Sequence, residues 1–182
     1  MSSLSGSISI RTSSSAMAAD YVVDTKASTI AFSGTHIGKE FKGQFSDWKA
    51  DVSFDPANLA GSHIKAVLKA ASAKTGDMMY DGTMPEDDWF KVKEFPEITF
   101  TSKTIKENAD KSYTATGDLT IRGITHSADL VFTVDLTQKP VVATGKLVVD
   151  RLTYDLGKKS DVKAEWVSKN IAIEINIKAT AK

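Results

Sequence analysis

Apolar and polar residues alternate with a period of two along most of this chain, which is the pattern of β-strands. The clearest case is residues 171–178, where every odd position is isoleucine and most even positions are polar. Such alternation places one face of a strand against an interior and the other face in water. Isoleucine, branched at Cβ, also favours a strand over a helix.

The same alternation recurs upstream and predicts further strands. Residues 113–121 and 128–136 alternate, and the segment 122–125 between them contains a glycine and favours a tight turn. Two alternating segments joined in this way predict a β-hairpin. Shorter alternating segments cover residues 64–70 and 98–101. Most of the chain after residue 20 is therefore expected to be antiparallel sheet.

One predicted strand changes phase in its middle. Phe41 and Phe45 share one parity, whereas Trp48 and Phe54 share the other, so the alternation slips at residues 46–47. An extra residue at this point is what a β-bulge inserts, and bulges allow a strand to bend as a barrel requires.

Residues 74–93 interrupt the strand pattern. This segment holds Met78, Met79, Trp89 and Phe90 among acidic residues, glycine and proline, without a period of two. We expect short helical turns in an insertion, and loops of this length are often functional. Eight to nine antiparallel strands with such an insertion fit either a closed barrel or a two-sheet sandwich, and periodicity does not choose between them.

Composition narrows the classes of function. The 182 residues include 23 basic and 23 acidic ones, so the net charge is zero, which argues against nucleic-acid binding and against electrostatic docking on anionic membranes. There is no cysteine, which excludes disulfides and thiolate chemistry. No segment approaches the roughly 20 apolar residues that an integral membrane helix needs.

The first residues differ from the rest. Residues 1–18 are rich in serine and lack a basic leader and an apolar run, yet the small residues at 16–19 resemble a signal-peptidase site. We expect a disordered leader over 1–18, either altered or introduced by cloning, followed by a single domain over 19–182. A natural flexible N-terminus is the alternative.

The chain shows little sign of catalytic or metal chemistry. His36, His63 and His126 are far apart and lack metal-ligand spacing, and the motifs of hydrolase triads and phosphate loops are absent. His36 shares the inward parity of its strand, so it is either a satisfied interior residue or a polar group near a cavity mouth. The inward positions mix large and small apolar residues, which fits both a packed core and an apolar cavity.

Several motifs closely resemble those of the YceI-like polyisoprenoid-binding family. They are residues 70–76, 95–102, 117–125 and 150–154, and the resemblance runs in order from Tyr21 to about Ala179. It implies an all-β, extended lipocalin-like antiparallel barrel of about eight strands, usually exported to the periplasm. It also implies an elongated pocket that holds a polyisoprenoid or the tail of an isoprenoid quinone.

On this resemblance we expect binding, with transport or storage, and no catalysis, catalytic cofactor, metal or nucleic-acid partner; a homodimer is an option. Residues expected to line the apolar tunnel are Phe32, Phe45, Leu68, Phe100, Leu119, Ile121 and Phe132. Residues expected at the mouth or insertion are His36, Trp48, Met78, Met79, Trp89 and Phe90.

Three alternatives stay open at this point. They are a binder of fatty acids or fatty amides, a structural or stress-response module with a filled core, and an enzyme acting on an isoprenoid quinone. The enzyme would have His36, Tyr80 and Asp81 as its candidate groups.

Overall fold

The structure is a computed structural model that describes residues 18–182. The leader expected over 1–18 lies outside the described residues, apart from Ala18. Strands dominate the described part, which also contains one short α-helix, α1 (Met78–Thr83), and three 3-10 helices, Leu59–Gly61, Ala70–Ser72 and Arg151–Tyr154. The strands are β1 (Ala19–Val23), β2 (Thr29–His36), β3 (Lys39–Phe45), β4 (Trp48–Phe54), β5 (His63–Lys69), β6 (Ala73–Lys74), β7 (Glu97–Glu107), β8 (Tyr113–Ile121), β9 (Ile124–Asp135), β10 (Val141–Asp150) and β11 (Asn170–Ala181).

The strands close into an antiparallel barrel. β1 and β2 lie one after the other along β11, and in the same way β4 and β3 lie along β1 and β2. β5 and β6 then pair with β4 and β3, and β7 to β11 follow in chain order. Each of these pairs of shorter strands takes the place of one long, interrupted strand. Counted in this way, the barrel has eight strands around its circumference. The all-β barrel of about eight strands is thus confirmed.

The interruption between β3 and β4 falls where the sequence pattern changes phase. β3 ends at Phe45 and β4 begins at Trp48, and both side chains are buried although they are an odd number of positions apart. The two residues between them absorb the extra step, so both segments keep their apolar face inward.

The predicted hairpin joins β8 to β9 and is tighter than the predicted turn of four residues. Ile121 and Ile124 are paired, so Arg122 and Gly123 alone form the connection. Both have a positive φ, of 52° and 71°, as a type I′ turn requires. The side chain of Phe95 lies where a Cβ on Gly123 would be, so the turn is packed against the insertion.

The insertion contains the expected helical turn. Asp77 caps α1 by accepting hydrogen bonds from the backbone N–H groups of Met79 and Tyr80. The rest of the segment up to β7 is a series of turns that lies across one end of the barrel, which is called the insertion end below. The opposite end, where β8 begins and β9 ends, is called the far end.

Candidate functional site

The barrel encloses a cavity of about 450 Å³. Small-molecule sites typically occupy roughly 300–1,000 Å³. Its wall is almost wholly aliphatic and aromatic and draws on strands from the whole circumference, including the four inward isoleucines of β11, Ile171, Ile173, Ile175 and Ile177. The interior therefore differs from the filled core that was one alternative.

All seven residues predicted for the tunnel lie on this wall. They are buried side chains of β2, β3, β5, β7, β8 and β9: Phe32, Phe45, Leu68, Phe100, Leu119, Ile121 and Phe132. Their period-two alternation placed them correctly because it follows directly from strand geometry. That they bind a ligand stays a prediction.

The six residues predicted for the mouth or insertion occupy three different kinds of position in the structure. His36, Met79, Trp89 and Phe90 line the cavity at the insertion end. Trp48 also lines it but is buried in the wall, because it starts the inward row of β4. Met78 lies in the insertion, but it is 89% exposed and does not line the cavity, so its role in ligand binding stays a prediction. The helical turn of α1 directs its lining residues inward and Met78 to solvent.

An aromatic cluster lies at the far end of the cavity. Phe54 and Phe132 line the cavity, and Tyr113 packs behind them. The ring centroids are 5.0 Å apart for Phe54 and Tyr113, 5.8 Å for Phe54 and Phe132, and 5.6 Å for Tyr113 and Phe132. Edge-to-face and stacked contacts of this kind add to the burial of the rings themselves.

At the insertion end, His36 forms a hydrogen bond with Tyr80. The His36 Nδ1 and the Tyr80 hydroxyl oxygen are 2.7 Å apart, and the two rings meet edge to face. The ring of Phe41 contacts Tyr80 from the other side, with centroids 5.8 Å apart. Asp81, the third group considered for catalysis, does not join them, because its carboxylate accepts hydrogen bonds from Thr75 and Gly76.

A buried ion pair supports the wall at the insertion end. Arg151 lines the cavity, and its guanidinium lies 2.8 Å from a carboxylate oxygen of Asp161. Its N–H groups also donate to four backbone carbonyls, those of Leu156, Asp161, Val167 and Ser168. The ring of Trp89 lies 5.5 Å away in a cation–π contact. Sequence reasoning missed Arg151, since it follows a strand in a segment without periodicity.

The ionisation of this pair reflects its surroundings. Burial lowers the pKa of the Arg151 guanidinium, and the charge of Asp161 opposes this. Burial alone would raise the pKa of the Asp161 carboxyl. Hydrogen bonds from the backbone N–H groups of residues 165–167, together with the charge of Arg151, bring that pKa below its usual range instead.

A second carboxylate ties the insertion to the segment after β10. Asp88 accepts hydrogen bonds from the backbone N–H groups of Lys159 and Ser160 and from the Ser160 hydroxyl. The backbone oxygen of Asp88 accepts one more from Gly157, at 2.6 Å. Burial opposes ionisation of this side chain, but the Ser160 and Lys159 hydrogen bonds and the charge of Arg122 lower its pKa overall.

Exposed apolar side chains surround the insertion end. Ile37 and Trp166 lie side by side, with the Ile37 N–H donating to the Trp166 carbonyl at 2.8 Å. The large apolar residues exposed in these segments and in the adjacent α1 are Ile37, Met78, Met79, Val162 and Trp166. These exposed apolar groups thus lie in the same segments as the residues that line the insertion end of the cavity.

The remaining histidines contribute nothing to the cavity. His63 and His126 are exposed, and the His126 Nε2 lies 2.9 Å from the backbone oxygen of Thr153. Among residues 18–182 no three His, Asp or Glu side chains come together as metal ligands. In the same part of the chain no helix has the length and hydropathy needed to cross a membrane.

Three solved structures share the fold of this chain. Burkholderia cenocepacia BcnA superposes with a TM-score of 0.83 and 28% identity over 87% of this chain and 100% of that protein. The Campylobacter jejuni YCEI protein gives a TM-score of 0.66 and 24% identity over 79% and 86%. A polyisoprenoid binding domain from Saccharophagus degradans gives 0.67 and 14% over 89% and 98%. At identities of 24% and 14%, the latter two show the fold alone.

Sequence relatives and a family model complete the comparison. A UPF0312 protein of Pseudomonas syringae pv. syringae is 38% identical over 113 residues, 60% of this chain and 59% of the relative. One of Vibrio parahaemolyticus is 34% identical over 113 residues, 60% of each. The matches thus span about three fifths of these curated relatives. The model of the YceI-like domain matches residues 21–179. This chain therefore belongs to the YceI-like family.

Proposed function

We propose that this chain binds a long isoprenoid lipid inside the barrel and carries or stores it without chemical change. The ligand is a polyprenyl chain or the tail of an isoprenoid quinone. The observation that carries the proposal is the cavity of about 450 Å³, walled by apolar side chains within a closed barrel. Such a wall favours a hydrocarbon through burial of its apolar surface.

The mixture of large and small side chains on the cavity wall suits a branched hydrocarbon chain. Bulky residues such as Phe100 alternate around the barrel with the small residues Ala50, Ala66 and Ala143. Ala50 and Ala66 are paired on β4 and β5, which leaves a recess between larger neighbours. The methyl branches of an isoprenoid fit such recesses. Each buried methylene contributes about 0.8 kcal/mol, so ten buried carbons contribute roughly 8 kcal/mol before the cost of ordering the chain.

The comparisons support the choice of ligand. The Saccharophagus degradans neighbour is named for binding polyisoprenoid, and its fold resembles this one. We therefore take polyisoprenoid as the first ligand to test. The resemblance to a family whose members are usually exported also makes the periplasm the compartment we propose. Fractionation of the native host, with an antibody to detect the protein in each fraction, tests this.

The direct test is extraction of the purified protein with organic solvent, followed by mass spectrometry of the extract. Ala66→Phe places a ring inside the cavity and is expected to reduce the bound prenyl lipid several-fold. Ala172→Phe is the matched control, because Ala172 lies on β11 between the inward residues Ile171 and Ile173 and faces outward. It should retain the lipid content of the unmodified chain.

The outcomes separate the candidates. Prenyl lipid in the unmodified chain that is lost in Ala66→Phe supports the proposal. Fatty acids or fatty amides in the extract would assign the same cavity to a different ligand. Equal amounts of lipid in both variants would place the ligand outside the barrel and overturn the proposal.

A further inference from the structure

Polar side chains are distributed unevenly along the cavity wall. Apart from Tyr21 and two tryptophans, the lining residues with side-chain oxygen or nitrogen all come from the insertion end. They are His36, Thr75, Tyr80, Thr83 and Arg151. A ligand with one polar end would therefore leave its apolar tail in the barrel and its head at this end.

Most of these polar groups already have partners. The Thr75 hydroxyl donates to Asp81, and the Thr83 hydroxyl donates to the backbone oxygen of Met79 at 2.8 Å. Arg151 is paired with Asp161 and donates to backbone carbonyls. His36 differs, because its Nδ1 is bonded to Tyr80 while its Nε2 has no hydrogen-bond partner among residues 18–182.

The hydrogen bond to Tyr80 makes the free nitrogen of His36 adaptable. If the Tyr80 hydroxyl donates to Nδ1, then Nε2 carries the proton and can donate to a carbonyl. If Nδ1 donates to the Tyr80 oxygen, then Nε2 is an acceptor for a hydroxyl group. With His36 in its uncharged form, the pair can therefore serve either kind of oxygen without a change of charge.

We propose that the His36 and Tyr80 pair is the head-group site of the cavity and selects lipids with a neutral carbonyl or hydroxyl head over phosphorylated ones. This inference rests on the proposed function. A phosphate is bound most strongly by cationic donors, which make charge-assisted hydrogen bonds to its oxygens. Of the lining residues, Arg151 carries the permanent positive charge, and Asp161 already neutralises it.

The test compares probes that share a geranylgeranyl tail and differ in their heads. They are geranylgeraniol, the corresponding quinone, geranylgeranyl phosphate and the headless hydrocarbon, each titrated into delipidated full-length protein. One neutral hydrogen bond corresponds to about a 3- to 10-fold difference in Kd. We expect the alcohol and the quinone to bind more tightly than the hydrocarbon by this factor, and the phosphate to bind more weakly than the alcohol.

Variants connect the preference to the pair. In His36→Leu and in Tyr80→Phe, the ratio of the alcohol and hydrocarbon affinities should fall to near one. The control His63→Leu changes an exposed histidine outside the cavity lining and should keep the ratio. Using a ratio within each variant removes general effects on cavity shape.

Each contrary result has its own meaning. Tighter binding of the phosphate than of the alcohol, or an unchanged affinity ratio in His36→Leu, would overturn the head-group site. Binding of the headless hydrocarbon in the same experiment would still support the barrel as a lipid cavity. Failure of every probe to bind, the hydrocarbon included, would overturn the proposed function as well.

Discussion

Arg151 and Asp161 form an ion pair in which neither side chain is more than 6% exposed, with 2.8 Å between the guanidinium nitrogen and the carboxylate oxygen. They are ten positions apart in the chain, and the segment between them has no regular strand. Because Asp161 also accepts hydrogen bonds from backbone N–H groups of residues 165–167, this pair organises the irregular connection between β10 and β11. The connection in turn supplies one side of the cavity mouth.

Removing one partner of this pair should be costly. Asp161→Ala leaves the Arg151 charge buried without its counter-charge, and we expect the free energy of unfolding to fall by about 3–5 kcal/mol. Urea denaturation followed by circular dichroism measures this. Glu174→Ala is the control, since Glu174 is in an exposed pair with Lys146 at 3.8 Å and should change stability by less than about 1 kcal/mol. An equally small change in Asp161→Ala would contradict the prediction.

The stability that the hydrogen bonds between Asp88 and residues 157–160 contribute to the fold should depend on pH. The folded pKa of Asp88 lies below the unfolded value of 3.8, so the carboxylate stabilises the fold above that pH. This contribution is lost as the pH falls through the lowered folded pKa. Asp88→Asn should therefore be less stable than the unmodified chain at pH 7, and the difference should shrink below pH 3.8.

Urea denaturation at a series of pH values from neutral to strongly acidic tests this dependence. Asp87→Asn, at the neighbouring exposed position, is the control. A constant difference between Asp88→Asn and the unmodified chain at every pH would show that the hydrogen bonds of Asp88 do not depend on its charge.

Gly117 should resist substitution because β7 lies too close to it. A Cβ at this position would be 2.2 Å from the backbone oxygen of Thr101, next to the register shift between Ser102 and Thr104. Gly117→Ala is expected to cost about 1–3 kcal/mol through overpacking. Gly82 in α1 has open space around it, so Gly82→Ala should be neutral or stabilising by up to about 1 kcal/mol. Thermal unfolding of both variants provides the comparison.

The aromatic cluster at the far end should contribute both stability and closure. Phe54→Ala removes a buried ring and is expected to cost about 3–5 kcal/mol. It also opens a gap beside Phe132, so a bound lipid should dissociate faster in a displacement experiment. Tyr113→Phe keeps all the rings and should leave both quantities near those of the unmodified chain. Unchanged dissociation in a folded Phe54→Ala protein would show that the far end takes no part in retaining the ligand.

The parts of the structure that the sequence predicts are those governed by local geometry. The inward positions of Phe32, Leu119 and Ile175 follow from alternation, which needs no knowledge of the partner strand. The break between Phe45 and Trp48 is visible for the same reason. The inward strand positions of the wall were therefore predictable, whereas Arg151, which follows a strand, was not.

The parts that escaped prediction depend on contacts between distant segments. Tyr80 and His36 are 44 positions apart in the chain. They come into contact only because the insertion folds over the end of the barrel. Met79 lines the cavity and Met78 does not. This difference depends on the rotational phase of a helix that is only six residues long. Closure of the sheet by β1 and β11 is a pairing of the chain ends, and for that reason the pattern alone left a sandwich open.

We propose that the aromatic cluster around Phe54 prevents a lipid from leaving at the far end, which constrains the sequence of events during lipid exchange. On this proposal a lipid enters tail first, and its head is the last part to enter and the first to emerge. Any acceptor, whether a bilayer or another protein, therefore meets the head at the insertion end before a single tail carbon has left the wall. The rate of handover should then be governed by how far the tail has to be withdrawn, and longer tails should be released more slowly.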